Sequence, residues 1–134
     1  MPATHGPQIL VVDDEPGVLR LLEVALPAWG FAVWSASSGE AALELYRRYQ
    51  QTIDAVLLDV QLGSGMDGPQ TWLALRAMNP SLKGAFMSGD TGRYTPDQLL
   101  RLGASLVLHK PFRSLAVLKE ALLGVLAEAT PAHA

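Results

Sequence analysis

The sequence predicts an α/β domain, a five-stranded parallel sheet with five helices on its two faces. Short continuous apolar runs alternate with longer stretches of helical spacing, five times along the chain. Parallel strands need crossovers, helices supply them, and crossovers are right-handed, which places helices on both faces. Length bounds the answer: 134 residues and 14.3 kDa make one domain. A chain of this size buries roughly two-thirds of its unfolded surface, so neither disulfides nor metals are needed to hold it together.

The first strand is Gln8–Val12, ending at Asp13-Asp14-Glu15-Pro16. Runs this short, bounded by Gly, Pro or Asp, read as strands buried on both faces. Pro16 occupies a first-turn position, Val18, Leu19, Leu22 and Leu26 follow on one face, and Pro27 is expected to end or kink that helix. Ala32–Ala36 is the second strand, and Ser38 is placed to cap a helix carrying Ala41, Ala42, Leu45 and Tyr49. The third strand, Ala55–Leu58, ends at Asp59. Pro69 opens a third helix with Trp72, Leu73 and Leu75, closed by Asn79-Pro80. Gly84–Met87 ends at Ser88, and Thr95-Pro96-Asp97 opens a short fourth helix that Gly103 stops. Ser105–Leu108 ends at His109-Lys110-Pro111, and a fifth helix runs from about Phe112 to Ala129. Residues 1–7 and 130–134 read as tails around a domain of residues 8–129.

Composition narrows the function classes. With 49% hydrophobic and 17% charged residues, the chain is not intrinsically disordered. A net charge of -3 without a basic run argues against nucleic acid and anionic membranes as partners. Cysteine is absent, which removes disulfide and thiolate chemistry. Met1 to Gln8 lacks a signal-peptide pattern and no apolar run is long enough to span a bilayer, so a soluble, cytoplasmic protein is expected.

In a doubly wound sheet, ligands sit outside the carboxyl ends of the strands. Those ends here are Asp13 and Asp14, Asp59, Ser88 and Lys110, whereas the second strand, ending at Ala36-Ser37, contributes nothing. Three neighbouring carboxylates repel one another, and a hard divalent cation such as Mg²⁺ neutralises them. Lys110 suits an incoming anion, and Ser88 can donate to a phosphoryl oxygen. The set asks for a phosphoryl group beside Mg²⁺, with one carboxylate as nucleophile. Taken singly, Asp13-Asp14 also read as turn formers, Asp59 as a strand-end cap, Ser88 as a turn residue and Lys110 as a solvated lysine.

From about Gln8 to Leu126 the chain resembles the receiver domain of two-component response regulators. The matching pieces are Val11-Val12-Asp13-Asp14-Glu15, Val56-Leu57-Leu58-Asp59-Val60, Met66-Asp67-Gly68, Phe86-Met87-Ser88-Gly89, Gly103-Ala104 and Lys110-Pro111-Phe112. Their order on successive strand ends gives the resemblance its weight. It implies a flavodoxin-like fold with strand order 2-1-3-4-5 and phosphorylation of Asp59 by a histidine kinase or histidine phosphotransfer protein. It further implies Mg²⁺ held by Asp14 directly, by Asp13 through water, by Asp59 and by the backbone carbonyl of Gln61, with Ser88 and Lys110 on the phosphoryl oxygens. Output would be protein contact without an attached effector domain, with no enzymatic turnover of a separate substrate. Two departures stand out. The loop Val60–Gly68 lacks a proline common there and is one residue longer than the commonest form, and Val107 stands where many members carry a switching Tyr or Phe.

Two rival readings compete. Gly63-Ser64-Gly65-Met66-Asp67-Gly68 fits the dinucleotide fingerprint, with Asp90 downstream, although Val60-Gln61-Leu62 separate it from the strand and Pro69 follows its last glycine. An aspartyl phosphatase of the haloacid dehalogenase type needs an Asp two residues after its nucleophile, where this chain has Gln61. His109 points away from Lys110's face and reads as structural, His5 and His133 lie in the tails, and Trp29, Trp34 and Trp72 read as packing residues.

Gln61 and Asp90, each two residues beyond a site residue, flank the path of an attacking water and are expected to tune phosphoryl lifetime. On the fifth helix, Leu115, Leu118, Leu122, Val125 and Leu126 form the stripe the sheet must cover. Leu123, Ala116, Ala127 and Ala121 widen the apolar arc to roughly 240°, more than a surface helix needs. The surplus predicts a homodimer through the fourth helix, fifth strand and fifth helix, with Leu123 near its centre.

Overall fold

The computed structural model describes residues 6–89 and 94–128. The elements alternate: β1 (Gln8–Val12), α1 (Pro16–Ala28), β2 (Ala32–Ala36), α2 (Gly39–Tyr49), β3 (Ala55–Asp59), α3 (Gly68–Met78), β4 (Lys83–Ser88), α4 (Pro96–Arg101), β5 (Val107–His109) and α5 (Leu115–Ala127). The strands form one parallel sheet in the order β2-β1-β3-β4-β5, as expected. Its strands are apolar on both faces because each face is covered. One cluster, built on Leu10, Val12, Val56, Leu58 and Phe86, meets Ala42 and Tyr46 of α2, Trp72 and Leu75 of α3 and Leu99 of α4. The other, built on Ile9, Val11, Leu57 and Met87, meets Leu22 and Leu26 of α1 and Leu118, Leu122 and Val125 of α5.

Several boundaries differ from the sequence reading, each for a local reason. Helix α1 continues through Pro27 to Ala28. A proline in the last turn removes one backbone bond at an exposed position, which water replaces. The helix stops instead at Gly30, whose φ of 90° closes a Schellman turn: Gly30 N donates to Pro27 O at 3.0 Å and Phe31 N to Leu26 O at 3.0 Å. Helix α5 starts at Leu115, not Phe112, because Ser114 Oγ accepts from Val117 N at 3.1 Å as an N-cap. Leu115, assigned to the covered stripe, is 43% exposed, since a residue in the first turn projects beyond the sheet edge. Strand β5 covers Val107–His109; Ser105 precedes it, although Ser105 N already donates to Gly84 O at 2.8 Å. Asp90, Ala129 and both predicted tails apart from Gly6 and Pro7 lie outside the described residues.

Candidate functional site

The carboxyl ends of β1, β3, β4 and β5 gather the site. Asp13 follows β1 directly, its N–H donating to Ala36 O at 3.2 Å, and its side chain is fully buried. Asp59 is the last residue of β3 and only 4% exposed. Lys110 follows β5, with its N–H donating to Ser88 O at 2.9 Å so that the β4–β5 ladder extends to the site. Its Nζ donates to Asp13 Oδ2 at 2.9 Å, Glu15 Oε1 at 2.7 Å and Asp59 Oδ2 at 3.2 Å. An ammonium has three N–H bonds, so all are engaged.

One lysine does not balance this much negative charge. Carboxylate oxygens of Asp13, Asp14, Glu15 and Asp59 can all lie within 4.8 Å of one another. Burial pushes the Asp59 carboxyl up and the Asp13 charge adds to it. Lys110 and the Gln61 N–H pull the other way, leaving Asp59 at about 6. Burial alone would lower Lys110, but hydrogen bonds to Glu15 and Asp13 and the charges of Asp59 and Asp13 hold its ammonium above the usual lysine range. Hard oxygen donors with surplus negative charge are the donor set a Mg²⁺ ion takes.

Above them opens a cleft of about 440 Å³, lined by Asp14, Glu15, Asp59, Gln61, Gly63, Gly89 and Lys110. Ser88 is buried, and its Oγ has no hydrogen-bond partner among the described residues. A buried hydroxyl without a partner is costly, and at this strand end Ser88 has a hydrogen bond to give to an incoming oxygen.

The β3–α3 loop is fixed by its own residues. Gly68 N donates to Val60 O at 2.8 Å, so close to the strand that an added Cβ would meet Asp59 O at 2.1 Å; only glycine lets the chain turn back there. Asp67 caps α3, accepting from Gln70 N at 2.9 Å, and also accepts from the Tyr94 hydroxyl at 2.8 Å. Glu40 accepts from Met66 N at 3.0 Å, and that bond holds its carboxyl below the usual range. These contacts weigh against the dinucleotide reading: the Glu40 and Asp67 carboxylates already take the Met66 and Gln70 N–H groups, and they would repel a pyrophosphate there.

Asp13, Asp14, Asp59 and Lys110 come together, Gln61 lines the cleft beside them, and Ser88 ends the neighbouring strand β4, buried and outside the cleft lining. His109 lies outside the cluster and is exposed. Glu15 was missed. It matched the motif, but a glutamate at a helix start reads as an ordinary first-turn charge, and only the fold shows Lys110 reaching it.

Residues 9–122 match the family model for the response regulator receiver domain. The chain belongs to that family. The receiver is 38% identical to the transcriptional regulatory protein ZraR of Escherichia coli K12 over 103 residues, 77% of this chain and 23% of that protein. It thus spans about a quarter of the length of that curated relative. Among solved structures, the receiver domain of NtrX from Brucella abortus superposes with a TM-score of 0.81 at 26% identity, covering 90% of this chain and 99% of that one. A chain of the CheX–CheY–BeF3–Mg²⁺ complex from Borrelia burgdorferi gives 0.83 at 23% identity, covering 91% and 90%, a likeness of fold. Among the described residues no helix of the receiver is long and apolar enough to cross a membrane.

Proposed function

We propose that this receiver accepts a phosphoryl group on Asp59 from a histidine kinase or histidine phosphotransfer protein and signals through protein contact. The observation that carries the proposal is the pairing of the strained Asp59 carboxylate with the unpartnered Ser88 hydroxyl at the same strand ends. Asp59 supplies the attacking oxygen. Lys110, already 3.2 Å from it, follows the negative charge onto the phosphoryl oxygens, and Ser88 donates the hydrogen bond it lacks here.

Asp13, Asp14, Asp59 and the Gln61 carbonyl would hold Mg²⁺, which when bound neutralises charge developing on the transferred group. Asp13 already accepts from Glu15 N and Lys110, which supports a role through water, while Asp14 is exposed at the cleft and suits direct ligation. Gln61 is exposed beside Asp59, where it can influence the water that ends the phosphorylated state. Asp90, the other residue proposed to set that lifetime, lies outside the described residues. Turnover of a separate phosphate ester forms no part of this reading.

Self-association through α4, β5 and α5 is proposed as well, with a different centre. Val117 faces β5 across a cavity of about 220 Å³ shared with Val107, Leu108, His109 and Phe112. Leu123 is six residues further on, which at about 100° per residue puts it on the opposite side of the buried Leu118–Leu122–Val125 stripe. What supports pairing is therefore the 45% exposed Val117 beside the sheet edge, not Leu123.

The test of the central reading is phosphoryl uptake by wild type and by Asp59→Asn with Mg²⁺ present. Uptake by wild type alone supports it; equal uptake by both refutes it.

A further inference from the structure

Among the three carboxylates on Lys110, Glu15 is the odd one. Its contact is the shortest at 2.7 Å, yet its side chain is 62% exposed, against 0% for Asp13 and 6% for Asp59. Glu15 also occupies the N-cap position of α1, where its side chain makes no capping bond. Ser, Thr, Asp or Asn would cap there; a glutamate's longer side chain overshoots the helix N–H groups and is free to reach elsewhere. Its backbone is fixed from both ends, its N–H donating to Asp13 Oδ1 at 2.9 Å and its carbonyl accepting from Val18 N at 3.1 Å and Leu19 N at 3.2 Å. The carboxylate borders two adjoining openings, the main cleft and a hollow of about 320 Å³ shared with Val18, Gly89, Lys110 and Pro111. It is held at the rim through which any donor reaches Asp59.

We propose that Glu15 is a positioning residue that selects among phosphoryl donors, holding negative charge at the cleft rim against small dianionic acyl phosphates. The proposal rests on Asp59 being the phosphoryl acceptor. In the step concerned, an Asp59 carboxylate oxygen bonds to phosphorus while the bridging P–O bond of the acyl phosphate breaks. The donor's carboxylate leaves with the electron pair. In phosphoramidate, a net monoanion, the P–N bond breaks and ammonia leaves, its nitrogen already carrying the third proton. The attacking group is the same for both donors; the charge each must carry past Glu15 differs. Repulsion between exposed charges grows with the charge on the donor and fades with salt.

The experiment measures second-order labelling rates of the whole chain with Mg²⁺, using acetyl phosphate and phosphoramidate, for wild type, Glu15→Gln and Glu15→Asp. Glu15→Gln is expected to raise the acetyl phosphate rate roughly 5-fold and the phosphoramidate rate about 2-fold or less, the gap closing at high salt. Glu15→Asp keeps the charge but shortens its reach, so the carboxylate withdraws from the rim toward the α1 cap, and the ratio of its two rates is expected to fall between those of wild type and Glu15→Gln. The ratio of the two rates within one variant is independent of how much of it is folded. A ratio unchanged in Glu15→Gln, or a changed ratio indifferent to salt, overturns the proposal. Absence of labelling of wild type by either donor overturns the assignment of Asp59 as acceptor, and the proposal with it.

Discussion

Asp59 Oδ2 lies 3.2 Å from Lys110 Nζ, and yet the Asp59 carboxyl titrates at about 6, well above an ordinary aspartate. The contact does not rescue the charge, because Asp59 is itself buried beside the Asp13 carboxylate and the same ammonium serves Asp13 and Glu15. The site is electrostatically overloaded, and that has measurable consequences.

The first is a dependence of stability on pH. Asp59 is raised in the folded state, so between its unfolded value near 4 and about 6 the folded chain binds more protons than the unfolded one. This contribution to stability therefore falls as pH rises through that window, and the penalty is complete above about 6. Asp59→Asn should stabilise the metal-free protein at pH 7.5 by about 1–2 kcal/mol, with the gain vanishing near pH 4. Thermal melts of both proteins across that range check it, and a variant less stable at pH 7.5 contradicts it.

A second expectation concerns Mg²⁺. Asp14 faces the cleft, whereas both Asp13 oxygens are already occupied. Asp14→Ala should abolish calorimetrically measurable Mg²⁺ binding, and Asp13→Ala should weaken it by about 10- to 100-fold, as loss of an outer partner does. Asp13→Ala should also lower the melting temperature more, since it strips a buried contact from Lys110. Equal and negligible effects on Mg²⁺ would remove the metal assignment.

Pairing is checked by light scattering over a concentration series. A dimer is expected, weakened at least about 10-fold by Val117→Glu, because the contact would have to strip water from a carboxylate where it now buries an apolar side chain. Leu123→Glu should leave it within about 2-fold of wild type. Dissociation by Leu123→Glu alone would place the contact on the α1-facing side of α5, and a wild-type monomer throughout would refute pairing.

The sheet was legible because its strands are buried on both faces and stop at charged or turn residues. Gln8–Val12 and Ala32–Ala36 were read to the residue, since Asp13 and the polar pair Ser37-Ser38 leave no ambiguity. Helix ends were harder. Pro27 looked like a stop, but the Gly30 turn decides the matter through bonds from Gly30 and Phe31 that periodicity does not contain. The start of α5 depends on Ser114, whose Oγ caps the helix through a bond from Val117 N that apolar periodicity does not contain. The site residues were legible because they sit on strand ends, where sequence position and spatial position coincide. Glu15, and the Tyr94 hydroxyl on Asp67, were not, since each depends on where a long side chain from another element arrives.

The central claim is that Asp59 carries the phosphoryl group. Its most direct measurement is chemical mapping: the chain is phosphorylated with Mg²⁺, reduced with borohydride, which converts an aspartyl phosphate to homoserine, and sequenced by mass spectrometry. The account predicts homoserine at position 59 and at no other aspartate, with none in protein incubated without a phosphoryl donor. Homoserine at Asp13, Asp14 or elsewhere with Asp59 unmodified would contradict it.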